Sequence, residues 1–309
     1  MKLQQALKIA LDNLRMQMLG VQVLFGFQFQ GLFQDNFAAL PRAGRVVDAA
    51  GLALLLVALG LMIAVPCQHR MVENGETTPR IYAAAMWYAQ VALLTVAGGI
   101  GCDVFVATSA PFGPVAATVL SIATFALALL GWYALGFGLR RRWSANTQGV
   151  PMQPEETPLR TKIEQMLTEA RVILPGAQAL LGFQLIVMMT RKFGELPFAV
   201  QVVHLAALAS LTLAIILLIC PAAIHRIAFG GADDPRMHSA SSLLITISLL
   251  PLAMAISCDL WVALTILFGE GLAALAGAVA AFALLMVLWF LLPLLLRRHA
   301  SPAALAMRH

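Results

Sequence analysis

Charge is scarce in this sequence. Only 11% of its 309 residues are Asp, Glu, Lys or Arg, where a soluble domain carries about 25%. Cysteine is rarer still, at positions 67, 102, 220 and 258, with neither CxxC nor Cys/His ligand spacing. The chain has no Walker loop, GxSxG elbow, HExxH pair or dinucleotide fingerprint. No enzyme activity, catalytic residue, metal or cofactor is therefore expected. His69, His204 and His225 lie near the ends of apolar runs, so no paired central histidines offer themselves to heme. The alternating ten-residue strands of a membrane barrel are missing too.

What fills the chain is apolar: 61% of the residues are hydrophobic, in runs long enough to cross a hydrocarbon core of roughly 30 Å. The pattern predicts an all-α integral membrane protein with eight transmembrane helices. Four spans run over Gln17–Phe37, Val46–Pro66, Tyr82–Val106 and Gly113–Leu139. Four more cover Val172–Thr190, Gln201–Ala222, Ser239–Ala263 and Gly271–Leu296. Before the first span, Leu3, Leu7, Ala10, Leu11 and Leu14 share one helical face, which predicts an amphipathic helix lying at the interface. Met1–Arg15 lacks the layout of a signal peptide.

Basic residues set the expected orientation. Arg42, Arg45, Arg191 and Lys192 fall on one side, and the rest of the 20 Lys and Arg fall on the other, with both termini. That bias predicts cytoplasmic termini. It also assigns the positive charge to juxtamembrane loops, so no nucleic-acid partner is expected.

The halves repeat. Moving 156 residues along the chain, from Arg15 to Arg171, aligns them without a gap. "GVQVLFGFQ" at 20–28 meets "GAQALLGFQ" at 176–184, and "CDVFVA" at 102–107 meets "CDLWVA" at 258–263. His69-Arg70 meets His225-Arg226, and Gly75, Pro79 and Arg80 meet Gly231, Pro235 and Arg236. The expected organisation is a four-helix repeat over 1–142, a cytoplasmic linker over 143–158 and a second repeat over 159–309. Each repeat has its own amphipathic helix. An even number of spans per repeat makes the copies parallel, related by a pseudo-two-fold axis along the membrane normal.

Glu169-Ala170-Arg171-Val172, then Gly176, Gln178, Leu180, Gly182-Phe183, Pro221, His225-Arg226 and Phe229 resemble an uncharacterised family of four-helix bacterial membrane proteins. The first half follows the pattern less closely, with Asn13, Val65 and Met71 in place of Glu169, Pro221 and Ile227. Members of that family are often labelled sodium:proton antiporters. The resemblance implies a bacterial cytoplasmic membrane and a tandem duplication of the family's unit.

Residues kept by both copies are the functional candidates. His69-Arg70 and His225-Arg226 close the second and sixth spans, where Arg also suits a helix C-terminus. Each is followed by a turn with carboxylates, Glu73 and Glu76 or Asp233 and Asp234, which could complete a His-Arg-carboxylate cluster. Asp103 and Asp259 lie near the outer ends of their spans, and intramembrane carboxylates are functional candidates by default. Asp48 and its repeat mate His204 could join them. Gln22, Gln28, Gln178 and Gln184 sit inside the first span of each copy, as interhelical glue or as the lining of a wet cavity. Small residues at Gly269, Ala273, Gly277 and Ala281 read as a packing stripe. Cys102 and Cys258 could approach across the axis and pair.

These residues predict an ion or small-solute transporter or channel, with cation:proton exchange as its specific form. The alternative is a non-transporting scaffold or regulatory subunit. Expected partners are the lipid bilayer, monovalent cations or protons, and a further copy of the chain.

Overall fold

The computed structural model describes residues 3–34, 37, 40–134, 137, 157–229, 232–269 and 271–298. Among these residues the protein is all helix, with no strand. The long helices are α1 (Leu3–Gly31), α2 (Arg42–Met71), α3 (Pro79–Leu129), α4 (Leu159–Met188), α5 (Phe198–Ile227), α6 (Pro235–Phe268) and α7 (Leu272–Met286). A π-helical turn, Leu130–Ala134, extends α3, and another, Val287–Leu291, joins α7 to α8 (Leu292–Arg298). Six helical segments are long and apolar enough to cross a membrane: Arg42–Met71, Pro79–Ala134, Leu159–Met188, Phe198–Ile227, Pro235–Phe268 and Leu272–Arg297. The protein is thus a multi-pass helical membrane protein.

Six differs from the eight expected for two reasons. Glutamines dilute α1, which falls outside the six. The 56-residue segment Pro79–Ala134 contains a break at Gly113. There φ is 80° and ψ 166°, a conformation that only glycine adopts without strain. Beyond it the chain folds back, so that Ser121 Oγ donates to the Gly101 carbonyl at 2.8 Å and Tyr133 OH to that of Gln90. Gly269, the repeat mate of Gly113, ends α6 with φ 90° and ψ 166°.

The turns that recur after α2 and α5 are helix punctuation. His69-Arg70 and His225-Arg226 occupy the last turns of those helices, where positive charge meets the carbonyl end of the dipole. Thr78 then caps α3 by accepting from Ile81 N, with Pro79 in its first turn. Asp234 caps α6 by accepting from Arg236 N at 2.7 Å, with Pro235 next. Proline suits that position because its missing N–H had no helical partner to lose.

The helices run back and forth between two ends of the bundle. The near end holds the starts of α1, α4 and α6 and the finish of α2 and α5. The far end holds Gly113, Gly269 and the finish of α1 and α4. At the centre α1 packs on α4 through small residues. A Cβ on Gly26 would lie 2.1 Å from the Phe183 ring, and one on Gly176 would lie 1.3 Å from Gln22 Oε1. Beside them α2 is the most enclosed helix, with Leu52, Leu55, Leu59, Met62 and Ile63 fully buried. Trp289 crosses from the second copy to donate to the Gly60 carbonyl at 2.9 Å. Its repeat mate Tyr133 stays within its own copy, and Leu120, Ile122, Leu127 and Leu130 beside it are exposed. The copies are therefore packed differently.

Three expectations need correction. The amphipathic segments are not separate helices at an interface: Leu3–Gly31 and Leu159–Met188 are each continuous. Leu3, Leu7, Leu11 and Leu14 are buried against protein. Of the expected small-residue stripe, Ala281 is buried and Gly277 packs against Leu264, where a Cβ would lie 2.4 Å away, but Ala273 is exposed, and Ala274 and Ala278 are buried instead. All four cysteines are free, so Cys102 and Cys258 do not pair.

Candidate functional site

The first polar cluster lies at the near end and joins the two copies. His69 Nδ1 is 2.6 Å from Glu169 Oε1, and Arg70 Nη1 donates to Glu169 Oε2 at 2.8 Å. His69 and Arg70 end α2, and Glu169 comes from α4. All three are buried. A cavity of about 10 Å³, room for roughly one water, sits against them with Lys162 and His238. His69 Nε2 and Arg70 Nε and Nη2 are buried without a hydrogen-bond partner among the described residues.

The carboxylates of the following turns do not complete this cluster. Glu73 accepts from Arg80 at 2.7 Å, Glu76 pairs with Lys162, and Asp233 is exposed. Asp234 is held by Arg236, whose hydrogen bonds keep its carboxyl below the usual carboxylate range. The acid comes from the other copy. Its signal was legible: Glu169 sits on the buried face of α4 with Met166, Ala170 and Ile173, and an acid on an apolar stripe demands a partner. The second copy builds no equivalent. His225 is half-buried, Arg226 is exposed, and Asn13, in place of Glu169, is exposed.

The second and third clusters lie toward the far end and are repeat mates. In the second copy Gln184 Nε2 donates to Asp259 Oδ2 at 2.6 Å, His204 Nδ1 stands 3.6 Å from Asp259 Oδ1, and His204 Nε2 is 3.1 Å from the Gln184 carbonyl. Exposure is 1%, 0% and 3% for Gln184, His204 and Asp259, so this network is sealed from solvent. The His204 ring stacks on Phe29 of the first copy at 5.8 Å and meets Phe193 edge-on at 5.2 Å. In the first copy Gln28 Nε2 donates to the Asp48 carbonyl at 2.8 Å and to Asp48 Oδ1 at 3.2 Å. Asp103, half-buried, lies within electrostatic reach of Asp48.

The helices that carry Asp103 and Asp259 run further than the sequence placed their ends. Their spans were expected to end at Val106 and Ala263, but the helix runs on to Gly113 and Phe268. At 1.5 Å per residue, roughly 14–15 Å of helix separates Asp103 and Asp259 from those ends.

The remaining glutamines divide. Gln22 is fully buried, wedged at Gly176, with both amide atoms unpartnered among the described residues. Its repeat mate Gln178 is exposed. Above His204, a cavity of about 440 Å³ opens at the far end. Phe37, Val200, Thr265 and Ile266 line it, with Arg45 and Lys192. Val200 stands one helical turn from His204. Lys192 Nζ donates to the Leu32 carbonyl at 2.5 Å and lies over the Phe37 ring. Among the described residues no three His, Cys, Asp or Glu are grouped to hold a metal ion.

A multi-pass helical bundle with polar clusters buried among its helices defines the class of membrane protein. The chain belongs to a family of unknown function, DUF6328, whose model matches residues 2–136 and again 154–293. Two matches in one chain fit a tandem duplication of the family's unit. The family's description carries no activity, and so lends nothing to the sodium:proton antiporter label. No curated protein and no solved structure matches the chain.

Proposed function

We propose that the protein is an ion-coupled transporter of the cytoplasmic membrane that exchanges a monovalent cation for protons. Its eight spans form two parallel repeats about a pseudo-two-fold axis along the membrane normal, with the near end and both termini in the cytoplasm. The observation that carries this reading is the Gln184–His204–Asp259 network. An ionised carboxylate at membrane depth costs roughly 2.5–3.5 kcal/mol on insertion scales, and such groups persist where they relay protons or ions. A histidine beside that carboxylate offers one proton a place on either side. The far-end cavity comes within one helical turn of His204, at Val200.

A second reading, a non-transporting scaffold or regulatory subunit, draws on the closure of the clusters: Glu169 and His204 are 1% and 0% exposed, and buried ion pairs also fix structure. Flux separates the two. The purified protein is reconstituted with a trapped pH dye and given Na⁺, K⁺ and Li⁺ gradients. Cation-driven proton movement that vanishes in Asp259→Asn supports exchange. No movement above empty liposomes, from folded and inserted protein, leaves the scaffold.

A further inference from the structure

We infer that the two far-end clusters divide the work: Gln28, Asp48 and Asp103 seat a small alkali cation, and Gln184, His204 and Asp259 hold the proton. This rests on the exchanger reading above. It starts from the requirement that a buried carboxylate have a counter-charge or a proton.

The second cluster carries its own. His204 Nε2 faces the Gln184 carbonyl, an acceptor, so that nitrogen bears a hydrogen. Gln184 already donates to Asp259 Oδ2. One place remains for a mobile proton, between His204 Nδ1 and Asp259 Oδ1. The cluster gains or loses a proton and needs no other ion.

The first cluster has a carboxyl where the second has the imidazole. The Gln28 amide nitrogen faces two acceptors, the Asp48 carbonyl and Oδ1, which fixes its orientation. That leaves Gln28 Oε1, Asp48 Oδ2 and Asp103 Oδ1 buried and without a hydrogen bond among the described residues. Gln28 is 8% exposed and Asp48 2%. Among the described residues no basic side chain forms an ion pair with either carboxyl. Arg45, one turn before Asp48, directs its Nε to the Leu40 carbonyl. Hard cations take oxygen ligands of this kind, carboxylates and amide carbonyls. One proton satisfies one of these oxygens, whereas a cation seated among Gln28, Asp48 and Asp103 would draw on more than one.

Gly51 gives the seat its room. A Cβ there would lie 2.6 Å from Gln28 Nε2 and 3.0 Å from Cys102 Cβ. The second copy has Ala207 at this position. The glycine thus belongs to the copy that lacks an internal counter-charge.

The test uses the purified full-length protein in detergent at pH 8. Thermal unfolding is followed against Na⁺, Li⁺ and K⁺, with choline at matched ionic strength as the control. An alkali cation should raise the unfolding midpoint. Its apparent affinity should fall tenfold or more in Asp103→Asn and in Gly51→Ala, and stay within about twofold in His204→Gln. Asp103 is half-buried, so Asp103→Asn should fold even if Asp48→Asn, or Gly51→Ala with its added contact at Cys102 Cβ, does not. The inference is overturned if the wild type shows no cation-dependent shift, if Asp103→Asn keeps it unchanged, or if His204→Gln loses it equally. Proton flux that needs Asp259 but no cation would sink the cation seat and leave proton movement standing. Cation binding without flux would do the reverse.

Discussion

Phe27 and Phe183 hold the same position in the two repeats and pack on each other, ring centroids 4.7 Å apart and planes at 56°. A contact between a residue and its own repeat mate marks the place where the two copies face one another. The helices meet closely there because Gly26 leaves room for the Phe183 ring. Gly26→Val should therefore destabilise the bundle by about 1–3 kcal/mol, the usual cost of overpacking. The thermal unfolding midpoint of the purified protein reads it. An unchanged midpoint would mean that α1 and α4 can separate without loss.

The near-end clamp predicts unequal behaviour from residues that look equivalent in sequence. Glu169→Gln leaves Arg70 buried beside a neutral group, which should cost about 3–5 kcal/mol. Arg226, the repeat mate of Arg70, is exposed, and Arg226→Ala should stay within about 0.5 kcal/mol of the wild type. Parallel unfolding curves for Glu169→Gln, Arg70→Ala and Arg226→Ala check this. Equal losses from Arg70→Ala and Arg226→Ala would contradict the cross-copy clamp.

Gly113 and Gly269 allow the backbone term to be measured alone. A Cβ at either meets no atom within 4 Å, so Gly→Ala adds no clash. The residues sit at φ 80° and 90°, which an L side chain occupies at a cost of about 1–3 kcal/mol. Each alanine variant should lose stability by that amount, and by a similar amount at both sites. A loss at one glycine only would show that the two bends do different jobs.

Much of this was readable in the chain. Hydrophobic runs located the helices, and the ungapped offset exposed the repeat, because both are local or periodic properties. Gln184, His204 and Asp259 were each visible as polar groups in apolar runs. Their meeting was not, since it depends on how α4, α5 and α6 are turned against one another. Glu169 was equally visible as an acid on an apolar stripe, but what it meets was not. Its partners lie on α2 of the other copy, about a hundred residues away, and the nearer carboxylates at 73, 76, 233 and 234 seemed sufficient. The ends of the third and seventh spans were set short: the helix runs on through Ala107 to Phe112 before the break at Gly113, and through Leu264 to Phe268 before Gly269.

Position 48 offers the sharpest test of the asymmetry. Asp48→His gives the first cluster the composition of the second, with a counter-charge built in. The larger ring in a site 2% exposed should cost about 1–3 kcal/mol, but the variant's unfolding midpoint should no longer respond to Na⁺ or Li⁺. His204→Asp makes the opposite change. It places two carboxyls where one was matched by an imidazole, so this variant should be weak in choline and regain stability as an alkali cation is added. The cation requirement would then have moved with the carboxyl from one copy to the other. If His204→Asp unfolds at the same temperature in choline and in Na⁺, paired carboxyls at this depth take protons instead, and the difference between Asp48 and His204 has another origin.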